Sequence, residues 1–407
     1  MRKSILKHLA TIALAVTSVA MISTSAYALD TAHPDDAPPP AEIEAELDPT
    51  PDIPSTIITE PITEPSQVAP PAEADGLTDL MRILLDQTQQ EPEPEPIPHV
   101  YHTLERATGL FDYPGGTMHG AVSPQDVRIL DTYGDYWKQI STWQGPMWIY
   151  ENFTPPTYGL NNLLSRHGNL GVFFYNIETG FTYTFNGNRE FFGASVSKAS
   201  YALYLYQRAE RGEIDLNRMI TYTGADFNGG SGVIRTRYRQ GQSFTTRRVI
   251  ALNLYQSDNI ATNMLRRTFG LEGYRQFVAS LGGNPNLVRN RIFNSQLTAN
   301  EAGRFAQAIW EYTQSGGRYS QEFMDALLNN QFQFLVSDYP IASKTGWTSP
   351  IAWHDMAIIQ APSPYILVVL SARGGWSARD YAAFAEISHA FQDFNARWFY
   401  TREQRTP

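Results

Sequence analysis

The residues best placed to do chemistry are Ser195 and Lys198, which lie in the stretch Gly193-Ala194-Ser195-Val196-Ser197-Lys198. The apolar spacing from Ala199 to Gly212 predicts a helix that begins at or near Ser195. Residues three apart share a helix face, roughly 5–6 Å apart at Cβ, so Lys198 can reach back to the Ser195 hydroxyl. A helix N-terminus also supplies free N–H groups and partial positive charge that suit an oxyanion. This pattern predicts an activated serine nucleophile.

Lysine usage supports this prediction, because the chain otherwise chooses arginine. Its lysines are Lys3, Lys7, Lys138, Lys198 and Lys344. Arginine cannot lose its proton in a protein, whereas a buried lysine can. Lysine at positions 198 and 344 therefore indicates sites that need a compact amine able to change its charge.

Two further stretches carry polar groups at element boundaries. Ser257-Asp258-Asn259 stands in a short break between the helical runs Arg248–Tyr255 and Ala261–Leu265. All three residue types favour helix N-caps, so capping alone also explains them. Lys344-Thr345-Gly346-Trp347 lies in a strand-like segment near the end of the chain.

The surrounding pattern predicts an α/β (α+β) fold in which a mostly antiparallel sheet is packed by helices beside a helical subdomain. Leu170–Tyr175 and Phe181–Phe185 indicate a hairpin, and three strand-like segments from Ala342 to Leu370 complete its sheet. Apolar residues at spacings of three and four predict that the helix from Asp380 to Tyr400 packs across this sheet.

The chain before this region divides by composition. Residues 1–28 carry Arg2, Lys3 and Lys7, an apolar segment and Ala26-Tyr27-Ala28, which is typical of a secretory signal peptide. Residues 29–98 hold most of the prolines and are strongly acidic, which predicts an extended, disordered linker. Residues 99–157 form an aromatic-rich extension of no assigned function, and residues 158–407 form the catalytic domain.

Several function classes are disfavoured. The chain has no cysteine, so a disulfide framework and a thiolate metal site are excluded. The net charge of −10 resides in the linker, and the mildly basic remainder has no stripe or module typical of nucleic-acid binding. His99, His102 and His119 lack ligand-like spacing, so no metal or other cofactor is expected. The apolar segment within residues 1–28 is too short for a stable membrane span, and no such span is expected after signal cleavage. A monomer is also expected.

The order Ser-x-x-Lys, Ser-Asp-Asn, Lys-Thr-Gly at residues 195, 257 and 344 resembles the penicillin-recognising serine hydrolases, and most closely the class A β-lactamase catalytic domain. The resemblance covers about residues 160–399. It extends to Gly212-Glu213-Ile214-Asp215-Leu216 and to the residues around Ser257, from Tyr255 to Asn263.

The resemblance implies a role for each motif residue. Ser195 is the nucleophile to be acylated, Lys198 is a base for its proton, and Ser257 relays a proton to the leaving nitrogen. The pKa of lysine, ordinarily about 10.4, must fall by about three units for Lys198 to act as this base. Such a fall corresponds to about 4 kcal/mol of differential interaction between the two protonation states. The remaining implied roles are substrate amide binding by Asn259, carboxylate binding by Lys344 and Thr345 of the Lys344-Thr345-Gly346 motif, and an oxyanion hole from the N–H groups of Ser195 and Trp347.

The sequence departs from the class A pattern at the deacylation glutamate. The segment Asn284–Gln296 is short and contains no carboxylate, and Glu301 is expected to be a solvent-facing helix residue. The substrate is therefore a β-lactam that the enzyme hydrolyses, or a peptidoglycan peptide cleaved by a D-alanyl-D-alanine peptidase or penicillin-binding protein. A β-lactam sensor or sink without turnover is a further alternative. The protein is expected to be secreted or associated with a bacterial cell wall.

Two other arrangements are less favoured. His354 and Asp355 are adjacent on a strand and point to opposite faces, which disfavours a Ser-His-Asp triad. Arg373 and Arg379 could bind a substrate carboxylate but match no family position, so solvated arginines are expected.

Overall fold

The computed structural model describes residues 100–373 and 377–405. The signal peptide and the acidic linker predicted from the sequence lie outside the described residues. None of the helices within this described part is both long and apolar enough to cross a membrane.

The aromatic-rich residues after position 100 form a six-stranded antiparallel sheet with the strand order β1-β4-β5-β6-β2-β3. Its strands are β1 Tyr101–Leu104, β2 Thr108–Phe111, β3 Met118–Val122, β4 Gln125–Tyr133, β5 Trp137–Thr142 and β6 Gly145–Tyr150. The core of this sheet is a small cluster of Leu104, Val122, Val127, Ile140 and Ile149. The sequence analysis assigned no sheet to this region.

The rest of the described chain is built on a five-stranded antiparallel sheet with the order β13-β14-β15-β7-β8. Its strands are β7 Leu170–Asn176, β8 Thr182–Phe185, β13 Ile341–Thr348, β14 Ala352–Ile359 and β15 Tyr365–Ser371. The hairpin β7–β8 thus pairs with the strands from the end of the chain, as predicted. Structural comparison below confirms the predicted α+β class.

Helices and short strands surround this sheet. The helices are α1 Tyr158–His167, α2 Ser197–Glu210, α3 Ile234–Arg237, α4 Thr246–Tyr255, α5 Asn259–Phe269, α6 Glu272–Ser280, α7 Ala299–Gln314, α8 Ser320–Leu328, α9 Ala378–Phe399 and α10 Arg402–Arg405. The short strands are β9 Glu190–Phe192, β10 Met219–Thr221, β11 Ser243–Thr245 and β12 Gln296–Thr298, which pair as β9 with β12 and β10 with β11.

Strand β15 shows why the sheet is covered on both faces. Its side chains alternate, so Ile366 and Val368 join the core shared with the helical subdomain, whereas Leu367 and Val369 join the core shared with α1 and α9. Every residue of β15 is buried. The central strands therefore read as continuous apolar runs, and β13, at the edge next to the helical subdomain, carries the lysine motif.

Candidate active site

Ser195 lies in a tight turn that immediately precedes helix α2. The turn is a single 3₁₀ turn, Ala194–Val196, and Ala194 has a φ of 45°. The Gly193 N–H donates to the Ser295 carbonyl at 2.8 Å, which fixes the turn from the side opposite to α2. Ser195 is 8% exposed, so its hydroxyl stands at the edge of the buried region. A left-handed alanine beside a buried serine is the kind of strained backbone found at functional sites.

Lys198, in the first turn of α2, is completely buried and turned toward the Ser257 loop. Its Nζ donates to Asn259 Oδ1 at 2.7 Å, to Ser257 Oγ at 3.3 Å and to the Ser257 carbonyl. None of the hydrogen bonds of this amine in the described chain goes to Ser195, and proton transfer between the two residues remains a prediction. A buried amine must satisfy its donors, and the Ser257 loop provides three acceptors.

The Ser257 loop is held by Asp258, whose N-cap position agrees with the capping interpretation of this stretch and which also binds a second segment. One carboxylate oxygen of Asp258 caps α5 by accepting from the N–H groups of Ile260 and Ala261. The other accepts from the N–H groups of Val233 and Ile234 at 2.7 and 2.8 Å. These bonds hold Ser257 at a φ of 50° between α4 and α5. The N-cap preference of aspartate was the signal for this role.

Asn259 is engaged on both ends of its side-chain amide. Its Oδ1 accepts from Lys198, and its Nδ2 donates to the Gly229 carbonyl at 2.9 Å. The glycine-rich loop 229–232 therefore packs directly on the Ser257 loop. A Cβ on Gly232 would lie 2.2 Å from Cγ of Asp258, which explains a glycine there. The role of Asn259 in holding a substrate amide remains a prediction.

Strand β13 brings the third motif against Ser195. Lys344 is completely buried, and its Nζ donates to Ser257 Oγ and to the Thr345 carbonyl, both at 3.0 Å. A Cβ on Gly346 would lie 2.8 Å from the Ser195 backbone nitrogen, so only glycine permits this approach. The buried Thr345 Oγ1 has no hydrogen-bond partner in the described residues.

Trp347 follows Gly346 on β13 and is partly buried. Its ring packs edge-on against the rings of Phe332 and Phe334, with centroid distances of 4.7 and 5.9 Å. These ring contacts hold β13 immediately after Gly346, where the strand meets the turn Ala194–Val196, which we call the nucleophile turn. The structure thus brings residues of all three motifs into one site, namely Ser195, Lys198, Ser257, Asn259, Lys344, Thr345 and Gly346.

Burial dominates the electrostatics of the two lysines. It lowers the pKa of Lys198 well below its usual value, the nearby charge of Lys344 lowers it further, and Asp258 acts in the opposite direction. Burial lowers the pKa of Lys344 to about 7, against the attraction of Asp355. A buried lysine next to a second cation is the situation that produces a neutral amine near physiological pH.

His354 and Asp355 do not form a catalytic pair. His354 Nδ1 accepts from the Ser371 N–H at 2.9 Å, which leaves Nε2 to donate to the Phe192 carbonyl at 2.8 Å. Asp355 accepts from the N–H groups of Phe334 and Leu335. Both side chains thus form hydrogen bonds with backbone groups. Burial lowers the pKa of His354 to about 4 and raises that of Asp355 to about 6.

Glu301 corrects one expectation, because it is buried rather than solvent-facing. It is 6% exposed and forms a capping box with Thr298 at the start of α7. One carboxylate oxygen accepts from the Asn284 N–H at 2.6 Å, and the other accepts from Thr298 N and Oγ1. The carboxylate therefore joins the two ends of the short segment 284–298. The Thr-x-x-Glu spacing was a signal for this cap.

The same segment places Phe293 over the Lys198 amine, with the ring centroid 5.5 Å from Nζ. Phe293 is 9% exposed and lies in the turn Ile292–Asn294. No periodic pattern predicts this contact, because the segment consists of single turns. An aromatic ring therefore covers the amine on the side where the segment passes it.

Comparison with known proteins gives the same family for this region. The sequence model of the β-lactamase enzyme family matches residues 157–394. β-Lactamase SME-1 of Serratia marcescens is 30% identical over 119 residues, which are 29% of this chain and 40% of that protein. β-Lactamase ROB-1 of Haemophilus influenzae is 32% identical over 116 residues, 28% of this chain and 37% of that protein. The chain thus spans about two-fifths of the length of these relatives.

Solved structures share the fold. A β-lactamase from Sphaerobacter thermophilus superposes with a TM-score of 0.53 at 22% identity, covering 60% of this chain and 98% of that chain. A variant of PBP-A in an acyl-enzyme complex with penicillin G gives a TM-score of 0.51 at 19% identity, covering 60% of this chain and 99% of that chain. Since the family model matches more than half of the sequence and the structures share its architecture, the chain belongs to the β-lactamase enzyme family.

Proposed function

We propose that the chain is an exported serine enzyme whose Ser195 is acylated by a β-lactam and which then hydrolyses the acyl-enzyme. The observation that carries this proposal is the enclosed Lys198 amine, which shares the Ser257 hydroxyl with Lys344 beside the nucleophile turn. The export step rests on the signal-peptide pattern of residues 1–28.

Acylation follows from the positions of these groups. The Ser195 oxygen bonds to the lactam carbonyl carbon while its proton passes to Lys198, whose lowered pKa favours a neutral amine. The carbonyl oxygen takes up negative charge near the Ser195 N–H, which β13 approaches closely at Gly346. The lactam C–N bond breaks as Ser257 passes its proton to the leaving nitrogen, and Ser257 regains a proton from Lys198, whose Nζ donates to its hydroxyl. Lys344 at the same hydroxyl supplies a positive charge for the substrate carboxylate.

A second candidate function is peptidase or penicillin-binding activity on peptidoglycan peptides. The specific observation in its favour is that segment 284–296 carries no carboxylate, while Glu301 is used in a cap. Loss of a positioned general base costs about 10²–10⁴-fold in the step it serves. Acylation is common to both candidates, and the rate of deacylation and the natural substrate distinguish them.

The experiment is intact mass spectrometry of the full chain mixed with benzylpenicillin, with free penicillin measured in parallel. We expect a mass increase of one penicillin on the wild type and none on Ser195→Ala. Ser141→Ala, an exposed serine on β5, is the matched control and should be acylated like the wild type. An adduct that disappears as penicillin is consumed supports β-lactam hydrolysis.

Release of D-alanine from a peptide ending in D-alanyl-D-alanine tests the second candidate in the same samples. A persistent penicillin adduct together with D-alanine release supports the peptidase. Absence of any adduct on the wild type, under conditions where Ser195→Ala behaves identically, contradicts acylation by a β-lactam.

A further inference from the structure

Phe293 completes an enclosure around the Lys198 amine. The three hydrogen-bond acceptors of Nζ all belong to Ser257 and Asn259, and the Phe293 ring lies 5.5 Å from Nζ. Lys198 is 0% exposed, whereas Ser195 retains some exposure. The Lys198 amine is therefore more enclosed than Ser195.

The segment that carries Phe293 is fastened close to this residue on both sides. The Arg291 guanidinium donates to Asn228 Oδ1 at 2.8 Å, and the Ser295 carbonyl accepts from the Gly193 N–H at 2.8 Å. Glu301 holds the start of the segment through the Asn284 N–H. The ring is thus held over the amine by its neighbours in the chain.

Hydrolysis of an acylated Ser195 requires a group that accepts the proton of the attacking water. Segment 284–296 offers no carboxylate, and the two Glu301 carboxylate oxygens accept hydrogen bonds from the Asn284 N–H and from Thr298. The Lys198 amine, with its depressed pKa, is the base that this site provides. The Ser257 carbonyl and Asn259 Oδ1 already accept from this amine, and the Phe293 ring lies next to it, so the ring stands where a water molecule could otherwise approach.

We propose that Phe293 sets the lifetime of the acyl-enzyme by keeping water away from Lys198. This inference rests on the proposed acylation of Ser195 and specifies how the same site treats its intermediate. In the suppressed reaction, the water oxygen bonds to the acyl carbon and its proton passes to Lys198. The bond between the acyl carbon and Ser195 Oγ then breaks, Ser195 recovers the proton, and the free acid leaves.

Removal of the ring should create a space bordered by an amine, and a cavity with polar partners takes up water. Phe293→Ala is therefore expected to shorten the lifetime of the penicillin adduct about 10- to 100-fold, toward the range of a general base in place. Phe293→Leu keeps most of the apolar volume and should stay within about threefold of the wild type. Phe305→Ala removes a buried ring of the same size from the helical core, one that has no ring contact with the Lys198 amine among the described residues, and should leave the lifetime unchanged.

The test uses the full chain, acylated with excess benzylpenicillin, rapidly desalted and followed by intact mass. The acylation rate of Phe293→Ala should remain within about threefold of the wild type, and its adduct decay should accelerate with pH as Lys198 loses its proton. Such a split between acylation and decay, with a pH dependence, is not expected from mere loosening of the fold.

Two results would overturn the inference. One is an adduct lifetime for Phe293→Ala within twofold of the wild type. The other is equal acceleration in Phe305→Ala, which would indicate general loosening. Absence of an adduct on the wild type would instead reject the proposed function, and this inference with it.

Discussion

The close approach of β13 to the nucleophile turn makes Gly346→Ala a quantitative test of the site. The added Cβ would lie 2.8 Å from Ser195 N, 2.9 Å from Gly193 O and 2.9 Å from Val196 N. Ordinary contacts begin at 3.4 Å, so the strand and the turn must separate by about 0.6 Å. All three neighbours are backbone atoms, and no side-chain rotation can relieve the contact.

A misplacement of 1 Å can cost about 10²-fold in rate, so 0.6 Å corresponds to about 10- to 30-fold. We therefore expect the acylation rate of Gly346→Ala, measured by stopped-flow mixing with a chromogenic cephalosporin, to fall by that factor. Overpacking should also lower the free energy of unfolding by about 1–3 kcal/mol. Gly120→Ala, where an added Cβ meets no atom within 4 Å, is the matched control. A folded Gly346→Ala variant that acylates within threefold of the wild type would refute the argument.

Three further predictions concern the charged groups. Lys198→Arg keeps the charge but cannot deprotonate, so acylation should fall at least about 10²-fold, while Lys138→Arg should acylate normally. Glu301→Gln replaces a carboxylate oxygen that accepts hydrogen bonds with an amide nitrogen, so the free energy of unfolding in urea should fall by about 1–3 kcal/mol. Unchanged adduct decay in this variant would confirm that Glu301 is no catalytic base. Between pH 4 and 6, unfolding takes up a proton at His354 and releases one at Asp355, so their contributions oppose each other. Relative to the wild type, Asp355→Asn should lose stability as the pH falls through this window, and His354→Gln should gain it; parallel profiles would contradict both pKa shifts.

The sheet of the catalytic region could be predicted because its signals are local. Strands β14 and β15 are runs of branched and apolar residues, and α9 has apolar residues at helical spacing. The motif around Ser195, Ser257 and Lys344 could likewise be recognised, since each part occupies three or four consecutive positions. Local patterns of this kind can be recognised in the sequence without knowing which residues meet in the folded chain.

The elements that the sequence analysis missed depend on distant partners. The sheet of β1 to β6 has short strands and a core of five residues, and β1 pairs with β4 rather than with its neighbour. The Phe293 contact joins a single turn to a helix almost 100 residues earlier, without any periodic pattern. The acceptors of the buried Lys198 amine lie on Ser257 and Asn259, far along the chain, so no local spacing predicts these hydrogen bonds.

The order of strands in the five-stranded sheet also governs when the chain can become reactive. Strand β7 lies beside β15, so Val172 pairs with Val369 only after most of the sequence has been made. Ser195 and Lys198 emerge early, but Lys344 arrives on β13, which joins the sheet through β14. Such long-range pairing is slow and comes late in folding. A chain that is still being synthesised therefore holds Ser195 without Lys344, and the proposed acylating site can assemble only after β13 has joined the sheet.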